Sequence, residues 1–592
     1  KLFNSRSLKE FETISKEISV RSKRLQNLQN QDLRSIFEIN SLINRITTSV
    51  DWKKERYNRE VPNLANIPLS VIDNISLNLF KHSKLERRRA NKMNWEKFWS
   101  NRWQWSAPGS IHTKYHQDFP YIPQEQLLKN KFISLNRFPS KLKFDYFYNR
   151  RPEITAHASI KYEWGKVRAI YGCDLTSYIL STFAFQNIED TLPRWFPIGT
   201  NSKNSIVSGI IEGVLDNGLP LCLDFEDFNS QHSNEAMKLV ILNWLKVFGK
   251  NLSEEQKMAA SWTLESIDNT HVRQQKPDST KIEFENYLVK GTLMTGWRLT
   301  TFVNTVLNYI YCSVLKPETM GVVSSVHNGD DVLMRIQNVK DLQNILKNTK
   351  KYNIRLSKGK CSYGGVAEFL RVDHTRKGGG QYLSRNIATL IHSKIEGKKA
   401  VNIIDIVEAT ENRIKEHIER GGDIEIISIM REIYYNRMGP VYDSLPQDLY
   451  KIKDIHRVNG GISEREDADI TLKIIKINEE QELEEIKVLE NIDLPGVVDF
   501  GLELAECLNL TKQKKEVIDG VMKATKSSVN LNRSKVIIRP ETDLQLATEY
   551  KRLFKAYEKI AKSATYGKAA LSNCMLQVIT EKSNLGSFSQ MV

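Results

Sequence analysis

Three segments in a fixed order constrain this chain more than any other feature. They are an apolar run ending in an acid, Leu221-Cys-Leu-Asp224-Phe-Glu-Asp227-Phe-Asn229; a Gly/Thr-rich stretch, Gly291-Thr-Leu-Met-Thr295-Gly296; and paired acids after a turn signal, His327-Asn-Gly329-Asp330-Asp331. The first predicts a short buried strand with Asp224 at its end. Asn328-Gly329 lies between Val322, Val323 and Val326 on one side and Val332 to Ile336 on the other, a pattern that predicts a hairpin with Asp330 and Asp331 at its tip. Between these segments, Met237, Val240, Ile241, Trp244, Leu245 and Phe248 mark one face of a helix beginning near Ser233, and Val303, Val306, Leu307, Ile310 and Val314 mark another. Strands alternating with helices predict an α+β middle, and the three acids meet there if strand and hairpin share one sheet.

The 592 residues exceed what one core organises, which predicts two to four lobes. Residues 1–100 read as a helical N-terminal lobe, with Ile36, Ile39, Ile43 and Ile46 at helical spacing. Between Trp95 and Tyr148, aromatics and prolines crowd among basic residues, predicting an irregular surface whose rings either stack on bases or pin a long loop to the core. Beyond residue 385 the pattern is mostly helical and charged, with loops or solvated helix faces at Gly460-Gly461 and from Glu479 to Glu485. A net charge of +15 points to a polyanionic partner. The six cysteines show no metal-ligand spacing and suggest a reducing compartment. No apolar run matches a membrane span, so no membrane partner is expected. The first residue is Lys, consistent with processing, trimming or a polyprotein.

Joining a nucleotide to a chain end calls for two divalent cations about 4 Å apart, held by a few carboxylates. Asp224, Asp330 and Asp331 supply such a set. Each piece alone is weak, because an acid after an apolar strand is commonly a turn or cap. In combination, these segments resemble motifs A, B and C of viral RNA-dependent RNA polymerases. The wording from Asp224 to His232 and from Gly291 to Asn304 is most similar to the totivirus-like polymerases of double-stranded RNA viruses.

The resemblance implies a right-hand polymerase. Residues 101–220 would belong to the fingers, 221–385 to a palm with a finger insert around 250–290, and 386–592 to a helical thumb and C-terminal region. It implies catalytic and metal roles for Asp224, Asp330 and Asp331, with two Mg²⁺ ions, or Mn²⁺ in their place. Asn229 would read the ribose 2′-hydroxyl, aided by Thr295, Gly296, Thr300 and Asn304. Thr300 and Asn304 lie one helical turn apart and could equally serve helix contacts. Lys161, Lys166 and Arg168 resemble motif F and would face the incoming triphosphate, although charges guarding an edge strand are the plainer reading. Lys358, chosen over Lys360, would protonate the leaving pyrophosphate. Arg371, within a segment resembling motif E, would support the primer, and Ser106, Gly109 and Ser110 would line the template path.

Two residues depart from the family pattern: Trp297 follows the motif B glycine, and Asp227 is a second motif A acid. The implied partners are RNA template and product, NTPs, and a viral capsid protein, sometimes fused to the polymerase. The implied setting is the virion interior or host cytoplasm. Two rivals share much of this pattern, a reverse transcriptase and a catalytically silent RNA-packaging scaffold. Asn229 favours ribonucleotides, since reverse transcriptases place a bulky ring in that space.

Overall fold

The computed structural model describes residues 2–45, 49–107, 109–125, 128–164, 166–216, 218–276, 283–316, 325–357, 359–374, 380–392, 403–478, 494–507, 514–527, 534–549 and 551–552. The expectations for Ile46, Val322, Val323, Lys358 and the stretch from Glu479 to Glu485 fall outside these residues. The chain divides into two compact units, residues 1–95 with 143–396, and residues 96–142 with 397–592. Helices and small sheets mix throughout, as the α+β expectation has it.

Two four-stranded sheets organise the first unit. One runs β2 (Lys166–Cys173), β1 (Ile154–Glu163), β4 (Thr270–Gln275), β5 (Phe284–Leu288), with β1 and β4 parallel and the other pairs antiparallel. The other runs β6 (Ser325–Asn328), β7 (Asp331–Ile336), β3 (Leu219–Leu223), β8 (Ser362–Tyr363), all antiparallel. A short hairpin, β9 (Glu368–Phe369) and β10 (Val372–Asp373), follows. β3 is apolar because four of its five residues are buried.

The Asn234–Phe248 helix starts where the sequence places it, with the Ser233 hydroxyl accepting from Ala236 N–H. It buries Met237, Val240, Ile241, Trp244 and Phe248. The Thr300–Leu315 helix buries Phe302, Val303, Val306, Leu307 and Ile310, and Phe302 stacks on Phe80 of the Leu69–Leu85 helix at 6.0 Å.

The helical spacing of Ile36, Ile39 and Ile43 does not give an α-helix. Two 3₁₀ turns, Arg34–Ile36 and Ile39–Leu42, stand there instead. Glu38 between them adopts φ 57, and its carboxylate is taken by Arg385 and Lys23. A left-handed residue thus stands where a helix would need to continue.

In the second unit part of the aromatic-rich segment is pinned to the core, while Phe119 stays exposed. Trp99 and Trp103 are buried, and Trp105 stacks on Phe98 at 4.4 Å. Arg102, 1% exposed, donates to the carbonyls of Leu135, Trp99 and Phe138. The helices Ile403–Glu419, Ile424–Val441 and Pro446–Asp454 share a core through Ile403, Val407, Tyr435, Leu449 and Ile452. The region beyond residue 385 is not purely helical. An antiparallel ribbon of β11 (Leu472–Asn478) and β12 (Ser534–Pro540) closes on that core through Ile474 and Val536, its alternating β-branched residues suiting a strand.

Candidate active site

Asp224 follows β3 and Asp331 opens β7. These strands pair antiparallel with Leu223 opposite Val332, so the two acids leave neighbouring strands at one end of the sheet. Asn328 pairs with Asp331, which leaves Gly329 and Asp330 as a two-residue turn. Gly329 sits at φ 62, the positive first position of a type II′ hairpin.

The Thr300–Leu315 helix holds this turn from behind. Thr305 Oγ1 accepts from Gly329 N–H at 2.8 Å, and Asn308 Nδ2 donates to the carbonyls of Gly329 and Asp331 at 3.0 Å each. Asn308 is itself fixed by buried His327, 3.1 Å away. Burial, with the charge of Lys316, keeps the His327 imidazole well below its usual range and therefore neutral.

The acids feel one another. The crowded cleft pushes Asp331 up to about 7, with the negative charges of Asp330, Glu368 and Asp224 adding to the rise and Arg371 opposing it. Asp331 itself keeps exposed surface, so the shift comes from loss of water around its carboxyl beside the neighbouring acids and not from enclosure in the core. Arg371 occupies the two-residue turn of the β9–β10 hairpin with Leu370; both have positive φ, 65 and 50. Asp224 is countered by Lys360, whose Nζ lies 3.0 and 3.3 Å from its two carboxylate oxygens.

Among the described residues, no group of three or more His, Cys, Asp and Glu side chains is drawn together tightly enough to hold a metal ion. The donor chemistry nonetheless suits a hard divalent cation. Three carboxylates share one cleft at a cost visible in the raised Asp331, and an ammonium already rests on both oxygens of Asp224.

Asn229 stands on the turn after Asp224. Gln231 pins that turn, donating to the carbonyls of Glu226 and Arg355 at 2.8 and 3.0 Å and accepting from Arg355 N–H at 2.9 Å. Asp227 is exposed on the same turn at φ 41. Asn304 Nδ2 donates to Asn229 Oδ1 at 2.8 Å. Thr300 is engaged elsewhere: its hydroxyl lies 2.7 Å from the carbonyls of Met294 and Trp297, so it caps the loop rather than touching Asn229.

That loop is stitched on two sides. Leu293 N–H donates to Asn229 O and Thr292 N–H to His232 O, both at 2.9 Å. Gly296 N–H donates to Tyr171 O at 2.9 Å, and Tyr171 N–H donates to Thr295 Oγ1 at 3.0 Å. A Cβ on Gly296 would lie 2.4 Å from Tyr171 O, which explains the glycine. Trp297 is buried beneath the loop, 5% exposed.

On the β1–β2 hairpin, Lys161 stands opposite Arg168 and Glu163 opposite Lys166. Glu163 accepts from Arg168 Nε at 2.7 Å and pairs with Lys161 at 3.3 Å, so a carboxylate now balances these exposed cations. Ser106, Gly109 and Ser110 belong to the second unit. Ser106 is buried, Gly109 O accepts from Lys131 N–H at 2.8 Å, and Ser110 bridges Asn130.

Sequence reasoning passed over Lys360 and missed Thr305, Asn308, His232 and Tyr311. The signal available was the i, i+4, i+7 placement of Asn304, Asn308 and Tyr311 on one face of an otherwise apolar helix.

A family model described as viral RNA-directed RNA-polymerase matches residues 2–395. A protein of Saccharomyces cerevisiae virus L-A, named "Probable RNA-directed RNA polymerase", is 33% identical over 547 residues, covering 91% of this chain and 36% of that relative. Proteins of the same name from Saccharomyces cerevisiae virus L-BC and Helminthosporium victoriae virus-190S are 38% and 31% identical. They cover 69% and 50% of this chain, and 27% and 34% of the relatives. The chain thus spans about a third of the length of the relatives it matches. Enzymes of this family generally use divalent metal ions. No helix among the described residues is long and apolar enough to cross a membrane. With two thirds of its length matched by the family model, the chain belongs to the viral RNA-directed RNA polymerase family.

Proposed function

We propose that this chain is the nucleotide-joining part of a double-stranded RNA virus polymerase, which makes RNA on an RNA template from NTPs and serves both replication and transcription. The observation that carries this reading is the sheet register that brings Asp224 and Asp331 to one strand end, with the Asn229–Asn304 pair on the turn just beyond.

Asp224, Asp330 and Asp331 would hold two Mg²⁺ ions, with Mn²⁺ able to substitute. When bound, such ions activate the 3′-hydroxyl and neutralise the departing pyrophosphate. Lys161 and Arg168, once Glu163 gives them up, receive the triphosphate together with Lys166, and Asn229 with Asn304 reads the ribose. The Thr295-Gly296 loop, capped by Thr300, sets the floor on which the nucleotide lies. Lys360 shares with Lys358 the candidacy for proton donor, and the ion pair to Asp224 supports Lys360. Arg371 steadies the primer end, and Ser106, Gly109 and Ser110 line the template path. Residues 101–220 would then supply the fingers, 221–385 the palm with a finger insert around 250–290, and 386–592 a helical thumb and C-terminal region. A capsid protein, fused or separate, is the expected partner, and the virion interior or host cytoplasm the expected setting.

Labelled NTP incorporation on a short single-stranded RNA template with Mg²⁺ tests this. Template-dependent product from NTPs, lost in Asp330→Asn, is the expected result. Preference for dNTPs would assign the chain to reverse transcription, and equal product from the variant would dismiss the site. RNA binding without synthesis by either protein would favour a packaging scaffold.

A further inference from the structure

Behind Asn229 and Asn304 lies a buried polar chain that the polymerase chemistry does not itself require. His232, fully buried, places Nε2 2.9 Å from Asn304 Oδ1 and Nδ1 3.0 Å from the Tyr311 hydroxyl. Tyr311 is 2% exposed, and its oxygen also lies 3.1 Å from Gln231 O. Burial pushes the His232 imidazole down to about 4, against the opposing bond to Asn304, so the ring is neutral at working pH and carries one N–H.

A neutral ring with partners on both nitrogens admits two self-consistent arrangements. In one, Tyr311 donates to Nδ1, Nε2–H donates to Asn304 Oδ1, and Asn304 Nδ2 donates to Asn229 Oδ1. Asn229 then has its own amide N–H left for a ligand. In the other, every bond runs the opposite way, and Asn229 is left with a carbonyl oxygen. The orientation of the Asn304 amide decides between them: its Oδ1 faces the ring at Nε2 and its Nδ2 faces Asn229 Oδ1. Nε2 therefore carries the hydrogen and Nδ1 is the acceptor that faces the Tyr311 hydroxyl, while Gln231 O already accepts from Ala65 N–H at 2.9 Å. With Nε2–H fixed in this way, a Tyr311 hydrogen turned to Gln231 O would leave Nδ1 a buried acceptor without a donor, which is costly, so that hydrogen belongs on Nδ1.

We propose that His232, held in its Nε2–H form by Tyr311, is a positioning residue that fixes the direction of the Asn304–Asn229 amide pair, so that Asn229 meets the ribose 2′-oxygen as a hydrogen-bond donor. This deepens the polymerase reading above and rests on it. Among the described residues no partner is recorded for Asn229 Nδ2, which is the group the relay turns toward the nucleotide. The consequence is sugar selectivity. A site with a pre-oriented donor discriminates against a nucleotide lacking the 2′-oxygen, because that donor is then left unpaired.

Two measurements test it on the full chain. In protein labelled with ¹⁵N-histidine, the His232 resonance, assigned by its loss in His232→Phe, should show a protonated Nε2 and a bare Nδ1, unchanged between pH 5.5 and 8. A protonated Nδ1 would overturn the proposal, since Asn229 would then present an acceptor. In single-nucleotide incorporation, the ratio of kcat/KM for an NTP to that for its dNTP should fall about tenfold in His232→Phe and measurably in Tyr311→Phe. His232→Gln, which can still donate to Asn304 and accept from Tyr311, should recover part of the ratio. Equal losses for NTP and dNTP in all three variants would mean a merely structural role and refute the inference. Absence of templated product from the unaltered chain would instead sink the polymerase reading, while the histidine spectrum would still decide the direction of the relay.

Discussion

Lys360→Met should move two observables in opposite directions. The ammonium lies 3.0 and 3.3 Å from the carboxylate oxygens of Asp224, with the two side chains 61% and 39% exposed. An ion pair this open to water gains roughly 0.2–1 kcal/mol. A divalent cation that takes Asp224 must first release that ammonium. Removing Lys360 therefore removes a competitor, and cation binding should tighten by at most about fivefold, the factor that corresponds to 1 kcal/mol. Turnover should fall instead. Once displaced, the ammonium is left at the cleft, where it can donate a proton to the leaving pyrophosphate, and loss of a positioned acid costs about 10²-fold or more. Lys360→Arg keeps the charge but not a donor that readily gives up its proton, so it should preserve the weaker cation affinity and still lose turnover. Manganese titration followed by electron paramagnetic resonance reads the first quantity, and rapid-quench single incorporation reads the second. Weaker manganese binding in Lys360→Met would refute the competition, and unchanged turnover would remove Lys360 from the chemistry.

Asp331 gives a pH test. Its carboxyl, raised to about 7 by cleft crowding and then by Asp330, keeps a proton in the folded state that the unfolded chain has released near its usual range. The folded state therefore binds more protons between about pH 4 and 7, and stability is lost as pH rises through that window. In thermal melts without divalent cation, Asp331→Asn should match the unaltered chain at pH 5 and melt higher at pH 8; an equal difference at both pH values would contradict this. Gly296→Ala should detach the loop from Tyr171, because its Cβ meets Tyr171 O at 2.4 Å. A cost of about 1–3 kcal/mol and faster hydrogen exchange at Gly296 and Tyr171 are expected, and unchanged exchange would count against the stitching. Lys23 joins Glu368 at 2.6 Å and Glu38 at 3.4 Å with 17% of its side chain exposed. Lys23→Met should destabilise the first unit by about 2–3 kcal/mol, less than the 3–5 typical of an uncompensated buried charge, since Glu38 keeps Arg385 and Glu368 keeps Tyr382. The midpoint of the first urea transition checks it.

Much of the site was legible in the sequence because it is built from local chemistry. Asn328-Gly329 marks a hairpin on its own, although the turn falls one residue later than an Asn-Gly turn would place it: Gly329 and Asp330 make the turn, and Asp331 opens the second strand opposite Asn328. Ser233 caps its helix through a bond three residues long, and the apolar stripe from Met237 to Phe248 is a matter of helical period alone. The same local logic misled at Ile36, Ile39 and Ile43, where Glu38 takes a left-handed conformation and its carboxylate pairs with Lys23 and, far along the chain, with Arg385. It was silent about His232 as well, which looks like any buried histidine until Asn304 and Tyr311 stand on either side of it.

Hydrophobic period, caps and turn residues act over a few positions, and for that reason the strand, the hairpin and the two central helices could be read from the residues alone. Tertiary structure alone decided the pairings that give those elements a use: Lys360 with Asp224, Asn304 with Asn229, Gly296 with Tyr171, and Lys23 with Glu368. Each joins residues whose separation along the chain says nothing about their distance in space. Charge and hydrogen bonding operate over a few ångströms, and only the packed sheet and its helices bring these groups that close.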